Sequence, residues 1–314
     1  MEIREILQEI DRQYQVLGPA DMEEFFKKTL ENFKAEHGAN NLGYASLVNE
    51  FGAFYRNQSR YEEGEQLFLE ATEILAELNG KNSPEYATAL NNLAELYRLA
   101  GNRDKAEEIL RRVIVIFRES VGEKHFLYAS ALNYLGHFCH EGGQAQEALE
   151  LYEESLAIVS AMPENYALLA TAYSNAAGAL RSLKRYTEAL KYLGEAKKLH
   201  EEKLGASGQH YSAVLNGIGS LWHTMGDFDK AAAFYAKVME LLLSLGSKKN
   251  RDYAIAASNY AACCEARGEL DKAVHYAREA RDSFAAVYGP DGPFAPGAQN
   301  YLSHLEKKAA QNNT

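Results

Sequence analysis

The stretch that decides the fold is Tyr86-Ala-Thr-Ala-Leu-Asn-Asn-Leu-Ala-Glu-Leu-Tyr-Arg-Leu-Ala-Gly-Asn-Arg-Asp-Lys-Ala-Glu-Glu-Ile-Leu110. Its apolar residues recur at i, i+3, i+4 and i+7, the stripe of an amphipathic helix, on both sides of one glycine. Working outward, the same pattern returns every 42 residues, or 41 at two places, in units that begin at Tyr44, Tyr86, Tyr128, Leu169, Tyr211, Tyr253 and Phe294. Eight residues into each unit stands a small residue: Gly52, Ala94, Gly136, Ala177, Gly219 and Ala261. A second small column follows at twenty, Gly64, Ala106, Ala148, Ala189, Ala231 and Ala273, and a third at twenty-seven, Ala71, Val113, Ser155, Ala196, Val238 and Ala280. Small residues in register let two helices approach closely while larger neighbours fill the space around them. Mid-unit turns such as Ala100-Gly-Asn-Arg, Glu141-Gly-Gly-Gln, Met225-Gly-Asp-Phe and Arg267-Gly-Glu-Leu place a glycine where a helix ends in the left-handed conformation. Each unit therefore reads as a helical hairpin.

The rest of the chain agrees with an all-α class. Six prolines, Pro19, Pro84, Pro163, Pro290, Pro293 and Pro296, fall in or beside polar joints and outside every apolar-periodic run. Proline inside a helix costs about 3 kcal/mol or more, so a nearly all-helical chain must space them this way. Of 314 residues 46% are apolar, enough for a core, and no run approaches the roughly 20 apolar residues that a bilayer requires. The first residues carry acids and no apolar leader, and three cysteines (Cys139, Cys263, Cys264) form no disulfide framework, so the expected location is cytoplasmic. A net charge of −11 disfavours nucleic acid and anionic membrane as partners, since both need a basic field.

With its Asn-Leu-Ala/Gly step, turn glycine and two alanine columns, the chain resembles the tetratricopeptide repeat family over residues 44 to about 285. The standard unit there is about 34 residues. The longer unit here, with paired asparagines such as Asn91-Asn92, is similar to the repeats of kinesin light chains and their bacterial relatives. HEAT and armadillo arrays have a comparable period, but the two alanine columns and the mid-unit glycine argue against them. The resemblance implies a right-handed α-solenoid of antiparallel hairpins forming one domain. Its repeats would span 44–85, 86–127, 128–168, 169–210, 211–252 and 253–293. Residues 1–43 would be a degenerate helix pair (3–15 and 21–36), and a lone helix over 298–310 would cap the end within 294–314.

The resemblance also assigns a concave face to positions two, five, nine and twelve of each first helix, and these positions share one stripe. Position two reads Ser46, Thr88, Ser130, Thr171, Ala213 and Ile255, and position five reads Asn49, Asn91, Asn133, Ser174, Asn216 and Ser258. Asparagine is a poor helix former, so four of them at one position forgo local stability. An amide offers donors and an acceptor, which suits the backbone of an extended peptide. With first helices about 10 Å apart and a strand advancing about 3.3 Å per residue, one amide per repeat meets every third ligand residue. A second amide column at position six, Asn92, Asn175, Asn259 and Asn300, either contacts ligand or bonds the neighbouring helix. Position twelve reads Arg56, Arg98, His140, Arg181, His223 and Glu265. Arginine forks onto carboxylates, so this column points either to an acidic or carboxylate-bearing peptide or to salt bridges with a neighbouring repeat's second helix.

Signatures of catalysis are missing from the sequence: there is no phosphate loop, dinucleotide fingerprint or His-Glu-x-x-His helix. His137 and His140 share a helix face without an evident third ligand, so neither metal nor cofactor is expected. The expected function is a non-enzymatic adaptor that binds a protein or peptide partner in the groove. The alternative is an assembly subunit that docks by its convex face or ends.

Overall fold

The computed structural model describes residues 2–312 apart from 163, 247, 249, 291 and 293. Among the described residues it contains fifteen α-helices, one short π-helix and no strand. The helices fall into two compact units, Met1–Phe138 and Cys139–Thr314. The first holds α1 (Ile3–Gln13), α2 (Pro19–His37), α3 (Leu42–Asn57), α4 (Tyr61–Asn79), α5 (Pro84–Leu99), α6 (Arg103–Ser120) and most of α7 (Phe126–Glu141). The second holds α8 (Ala145–Val159), α9 (Tyr166–Ser182), α10 (Tyr186–Leu199) with a π turn at His200–Leu204, and α11 (Gln209–Thr224). It continues with α12 (Phe228–Ser244), α13 (Arg251–Ala266), α14 (Leu270–Tyr288) and α15 (Ala295–Asn312). In the first unit α3 packs on α4, α4 on α5 and α5 on α6, and in the second each helix from α8 to α14 packs on its successor.

Proline and glycine punctuate these helices as their chemistry requires. Pro19 and Pro84 occupy the first turn of α2 and α5, where no backbone N–H is missed. Pro290 lies in a turn and Pro296 opens α15, whereas Pro163 and Pro293 lie outside the described residues. The turn glycines Gly101, Gly143, Gly226 and Gly268 all have φ between +77° and +84°. Two repeats lack that glycine, yet Ser59 and Lys184 take the same conformation at φ +58° and +61°. A side chain there costs about 1–2 kcal/mol, so the packing of the hairpin dictates the turn even against local preference.

All three small columns are buried. The residues at position twenty and twenty-seven are at most 1% exposed wherever they carry a side chain. At position eight the choice between glycine and alanine follows the residue at position twenty-four on the second helix. Gly52 shares its repeat with Phe68 and Gly219 with Tyr235, whereas Ala94, Ala177 and Ala261 share theirs with Leu110, Leu193 and Ala277. A Cβ built on Gly52 would lie 3.0 Å from the Phe68 ring, and one on Gly219 would lie 2.8 Å from the Tyr235 ring. The aromatic ring occupies the space that the missing methyl leaves, which is close packing by complementary volume.

The terminal segments behave as modified repeats. The N-terminal pair is shorter in its first helix and longer in its second than the sequence suggests, because Pro19 starts α2 early. It nevertheless makes the contact of a full repeat: Tyr55 donates its hydroxyl to Glu23 at 2.9 Å, and 42 residues later Tyr97 donates to Glu65 at 2.5 Å. The last helix extends over Ala295–Asn312 and buries Leu302 and Leu305 against Ala261, Cys264, Ala273 and Ala277.

Two consequences are measurable. Gly219→Ala is expected to destabilise by about 1–2 kcal/mol through overpacking against Tyr235, despite alanine's better helix propensity. In a Tyr235→Leu background the same change is expected to stabilise, and denaturant melts of the four-member cycle would show the reversal of sign. Glu23 receives hydrogen bonds from Lys27, Arg60 and Tyr55, with Lys27 the largest influence, and its carboxyl is pulled down to about 2. The folded state therefore binds fewer protons than the unfolded one between the ordinary carboxylate value and about 2. Stability from this cluster is present above about pH 4.5 and lost as the pH falls toward 2. Acid titration of the melting temperature should accordingly be shallower for Glu23→Gln than for the wild type over that window.

Candidate functional site

Within each unit one pair of neighbouring first helices, α3 with α5 and α9 with α11, turns residues of positions two, five and six toward the space between them. Position-two hydroxyls are spent locally: Ser46, Thr88 and Thr171 donate to the carbonyls of Leu42, Pro84 and Ala167 in their own helices. The amides behave differently from one another. Asn92 Nδ2 donates to Asn49 Oδ1 at 2.9 Å, so position six of one repeat grips position five of the one before it. Asn133 is only 8% exposed. The Oδ1 atoms of Asn91 and Asn216 are buried and accept no hydrogen bond. Ser174 donates to the Ala170 carbonyl, and Asn259 is half-buried on α13.

The position-twelve column does not form one positive stripe. Arg98 forks onto Glu95 in its own helix, at 2.7 and 2.9 Å, and Tyr134 donates to the same carboxylate. Burial pushes the Glu95 carboxyl up, but these hydrogen bonds outweigh it and hold it low and charged. Arg56 stands over the Phe68 ring at 5.9 Å. Arg181 Nη1 donates to Ser220 Oγ at 3.1 Å on the next first helix, and His140 shares a 2.9 Å hydrogen bond with Ser182 Oγ. His223 meets the edge of the Phe228 ring at 5.2 Å between centroids. These ties run within the same helix, to the next first helix or to an aromatic ring.

Two clefts open between consecutive first helices, one in each unit. In the first unit Ser46, Asn49, Glu50, Thr88 and Asn92 line a cavity of about 410 Å³ between α3 and α5, with Leu7 of α1 at one side and Glu85 at the rim. Burial, then the nearby Asp11, raise the Glu50 carboxyl above its ordinary value. With Glu50 and Glu85 in its lining, this cleft carries acidic side chains and, among its described lining residues, no basic one. In the second unit Thr171, Ser174, Asn175, Gly178 and Arg181 of α9 face Ala213 and Gly217 of α11 across about 320 Å³. His210 and His200 join that lining, and none of the described lining residues is acidic. Burial, then the charge of His210, hold the His200 imidazole below its usual value. The sequence reading found the asparagine and arginine columns but missed His200 and His210, which lie off the first-helix stripe.

Among the described residues no three His, Cys, Asp or Glu side chains come together as a metal-holding set, and Cys139 is fully buried. No helix among them is long and apolar enough to cross a membrane.

Comparison with known proteins bears on this architecture. No curated protein matches the chain. Among solved structures, BtubC (BKLC) from P. vanneervenii is 22% identical with a TM-score of 0.63, covering 74% of this chain and 92% of its own. A putative kinesin light chain repeat protein of Podosopora anserina is 19% identical with a TM-score of 0.56, covering 64% and 96%. A tetratricopeptide repeat protein from Parabacteroides merdae is 16% identical with a TM-score of 0.61, covering 97% and 98%. At such identities the likeness is one of fold. The tetratricopeptide repeat model itself matches residues 44–119, 101–161 and 168–244. With the hairpins, the buried small columns and this match over more than half of its length, the chain belongs to the tetratricopeptide repeat family, whose members mediate protein–protein interaction or assembly.

Proposed function

We propose that this protein is a non-enzymatic adaptor that binds an extended peptide segment of a partner protein along the face of its first helices. The observation that carries the reading is the pair of clefts between consecutive first helices. Each is lined at positions two, five and six by hydroxyl and amide groups: Ser46, Asn49, Thr88 and Asn92 in one, and Thr171, Ser174 and Asn175 in the other. Such groups donate to and accept from a ligand backbone without demanding one side chain. An apolar floor, Ala45, Leu75 and Ala89 in one cleft and Leu193, Val214 and Leu221 in the other, gives a ligand side chain surface to cover.

The preference for acidic peptide drawn from the arginine column narrows on this reading to the second unit. Arg98 already holds a carboxylate of its own, and Glu50 and Glu85 line the first cleft. Arg181 and His210 line the second, and none of its described lining residues is acidic. On this reading the first cleft suits a basic or neutral side chain and the second an acidic group. The net charge of −11 leaves no general basic field for nucleic acid.

The test uses the full chain as bait, followed by fluorescence anisotropy with the captured partner's binding segment. Thr88→Trp and Ala213→Trp fill the two clefts from exposed positions and leave the core columns intact. With circular dichroism unchanged, the double variant is expected to bind the segment at least about tenfold more weakly, which is about 1.4 kcal/mol. Equal affinity for wild type and variant would place the working surface elsewhere and favour docking by the convex face or the ends.

A further inference from the structure

The repeats of this chain are internal controls for one another, and one joint between them departs from the rest. Thirty-one residues into each unit the second helix carries Leu75, Phe117, Val159, Leu242 and Phe284, with Phe33 at the matching place in the N-terminal pair. All six are apolar and at most 9% exposed. Leu242 shows what the column does: it packs in one apolar cluster with Tyr211 and Leu215 of its own repeat and with Tyr253, Ala256 and Ala257 of the next. The residue at this position therefore seals one repeat to its successor. In the fourth repeat it is His200, still only 8% exposed. Its ring lies 5.8 Å from the ring of Tyr211, the counterpart of Tyr253 one repeat earlier. The helix changes at the same place, because His200 opens the π turn His200–Leu204, whereas the other second helices stay α-helical among the described residues. Single π turns inside helices occur often at functional sites.

A neutral imidazole can fill such a joint, whereas a charged one must give up its hydration to do so. The His200 ring hydrogen-bonds the backbone of Gly205, where the π turn ends at φ +96°, and this bond favours the charged form. Burial first and then the charge of His210 oppose it, and they prevail. The other charged groups on the elements packed around the ring add to the opposition or are already paired. From α9, Arg181 lines the same cleft. Lys203, within the π turn, stands over the ring of Tyr166 at the start of α9 at 5.5 Å. Glu201 is held by Lys197 of α10 at 2.7 Å, by the hydroxyl of Tyr211 of α11 at 2.7 Å and by the charge of Lys237 of α12. Glu202 is exposed to solvent, and none of the described residues that line the cleft with His200 is acidic.

We propose that His200 is an acid-sensitive latch between the fourth and fifth repeats: its neutral ring seals α9 and α10 to α11, and its protonation loosens that joint. The sign follows from linkage. An opened segment takes up the proton near about 6.5, the ordinary value for histidine, whereas the closed joint takes it up only at lower pH. The joint therefore has its full stability above about pH 6.5 and loses it as the pH falls below, by at most about tenfold per pH unit for one proton. The six apolar copies of this position have no atom to titrate, so the column gives the other joints no such response. The latch is independent of what the clefts bind, and it stands or falls apart from the adaptor reading.

The experiment measures backbone amide hydrogen exchange over residues 197–215 of the full chain at about pH 7.5 and about pH 5.5, which bracket the ordinary histidine value. Each rate is divided by that of an unstructured peptide of the same sequence, and α5, which contains no histidine, is the internal reference. On acidification the wild type is expected to lose protection in this segment by about three- to tenfold relative to α5. His200→Gln keeps a polar side chain that cannot take up the proton, and His200→Leu restores the residue type of the column. Each is expected to lose no more protection than α5 does. His210→Gln, which removes one opposing charge, should reduce the response without abolishing it. The ring Hε1 signal of His200, assigned by its disappearance in His200→Gln, is expected to titrate below about 6.5. No loss in the wild type, an equal loss in wild type and His200→Gln, or a His200 titration at or above about 6.5 would overturn the latch. A response that persists in His200→Gln and vanishes in His210→Gln would overturn it as well.

Discussion

Everything in this fold depends on how closely the two helices of a hairpin approach. The small residues at positions eight, twenty and twenty-seven set that distance, and their burial is nearly complete in every described repeat. Close approach removes side-chain volume from the interface, so the facing helix must supply it. Phe68 and Tyr235 do so opposite glycine, and Leu110 and Leu193 stand in the repeats that keep alanine. In these four repeats the interface exchanges volume between the two helices, as expected of interiors packed at crystal density. The turn between the helices follows from the same constraint. Ser59 and Lys184 accept the left-handed backbone because the helices on either side are already fixed by packing.

Once that interface is satisfied, the opposite stripe of each first helix has no core duty. In α3, α5, α9 and α11 it lines the cleft toward the neighbouring first helix. The hydroxyls at position two fold back onto their own carbonyls, which keeps them small and leaves the clefts open. One amide pair is shared between repeats, with Asn92 of position six donating to Asn49 of position five. A polar group that already has a partner is not lost to a ligand. An amide has two donors and two acceptor lone pairs, so one bond between repeats fixes its orientation and leaves the remainder directed.

The period, the helix class and the buried columns were legible because they recur. Six copies of one constraint average out the ambiguity of any single segment, and glycine and proline mark the joints independently. The volume exchange between positions eight and twenty-four was written in the same repeats but requires comparing two columns, since either alone reads only as small or as apolar. Electrostatics was less legible. The arginine column suggested a positive stripe, yet Arg98 is captured by Glu95 three residues before it, the same carboxylate that takes the Tyr134 hydroxyl. The i,i+3 relation is visible in sequence, but the tyrosine comes from another helix and its contribution depends on how the repeats stack. The clefts themselves, and the opposite charge of their linings, come from inter-repeat spacing that no single unit encodes.

A repeat protein offers a sharper test of function than a unique fold does. In a unique core a buried histidine has many possible causes, and nothing in the same molecule shows what stands there in its absence. Here six equivalent sites show it: phenylalanine, leucine or valine, each buried. The shared position strips away the requirements of the hairpin, because the other copies meet them with hydrocarbon. What is left over at His200 is specific to its surroundings, namely a π turn, a cleft without acids among its described lining residues, and an arginine directed across it. By the same reasoning Glu50, the one acid among the asparagines of position six, marks the cleft of the first unit as chemically distinct. Repetition builds the scaffold, and the departures from repetition are where a partner can tell one cleft from the other.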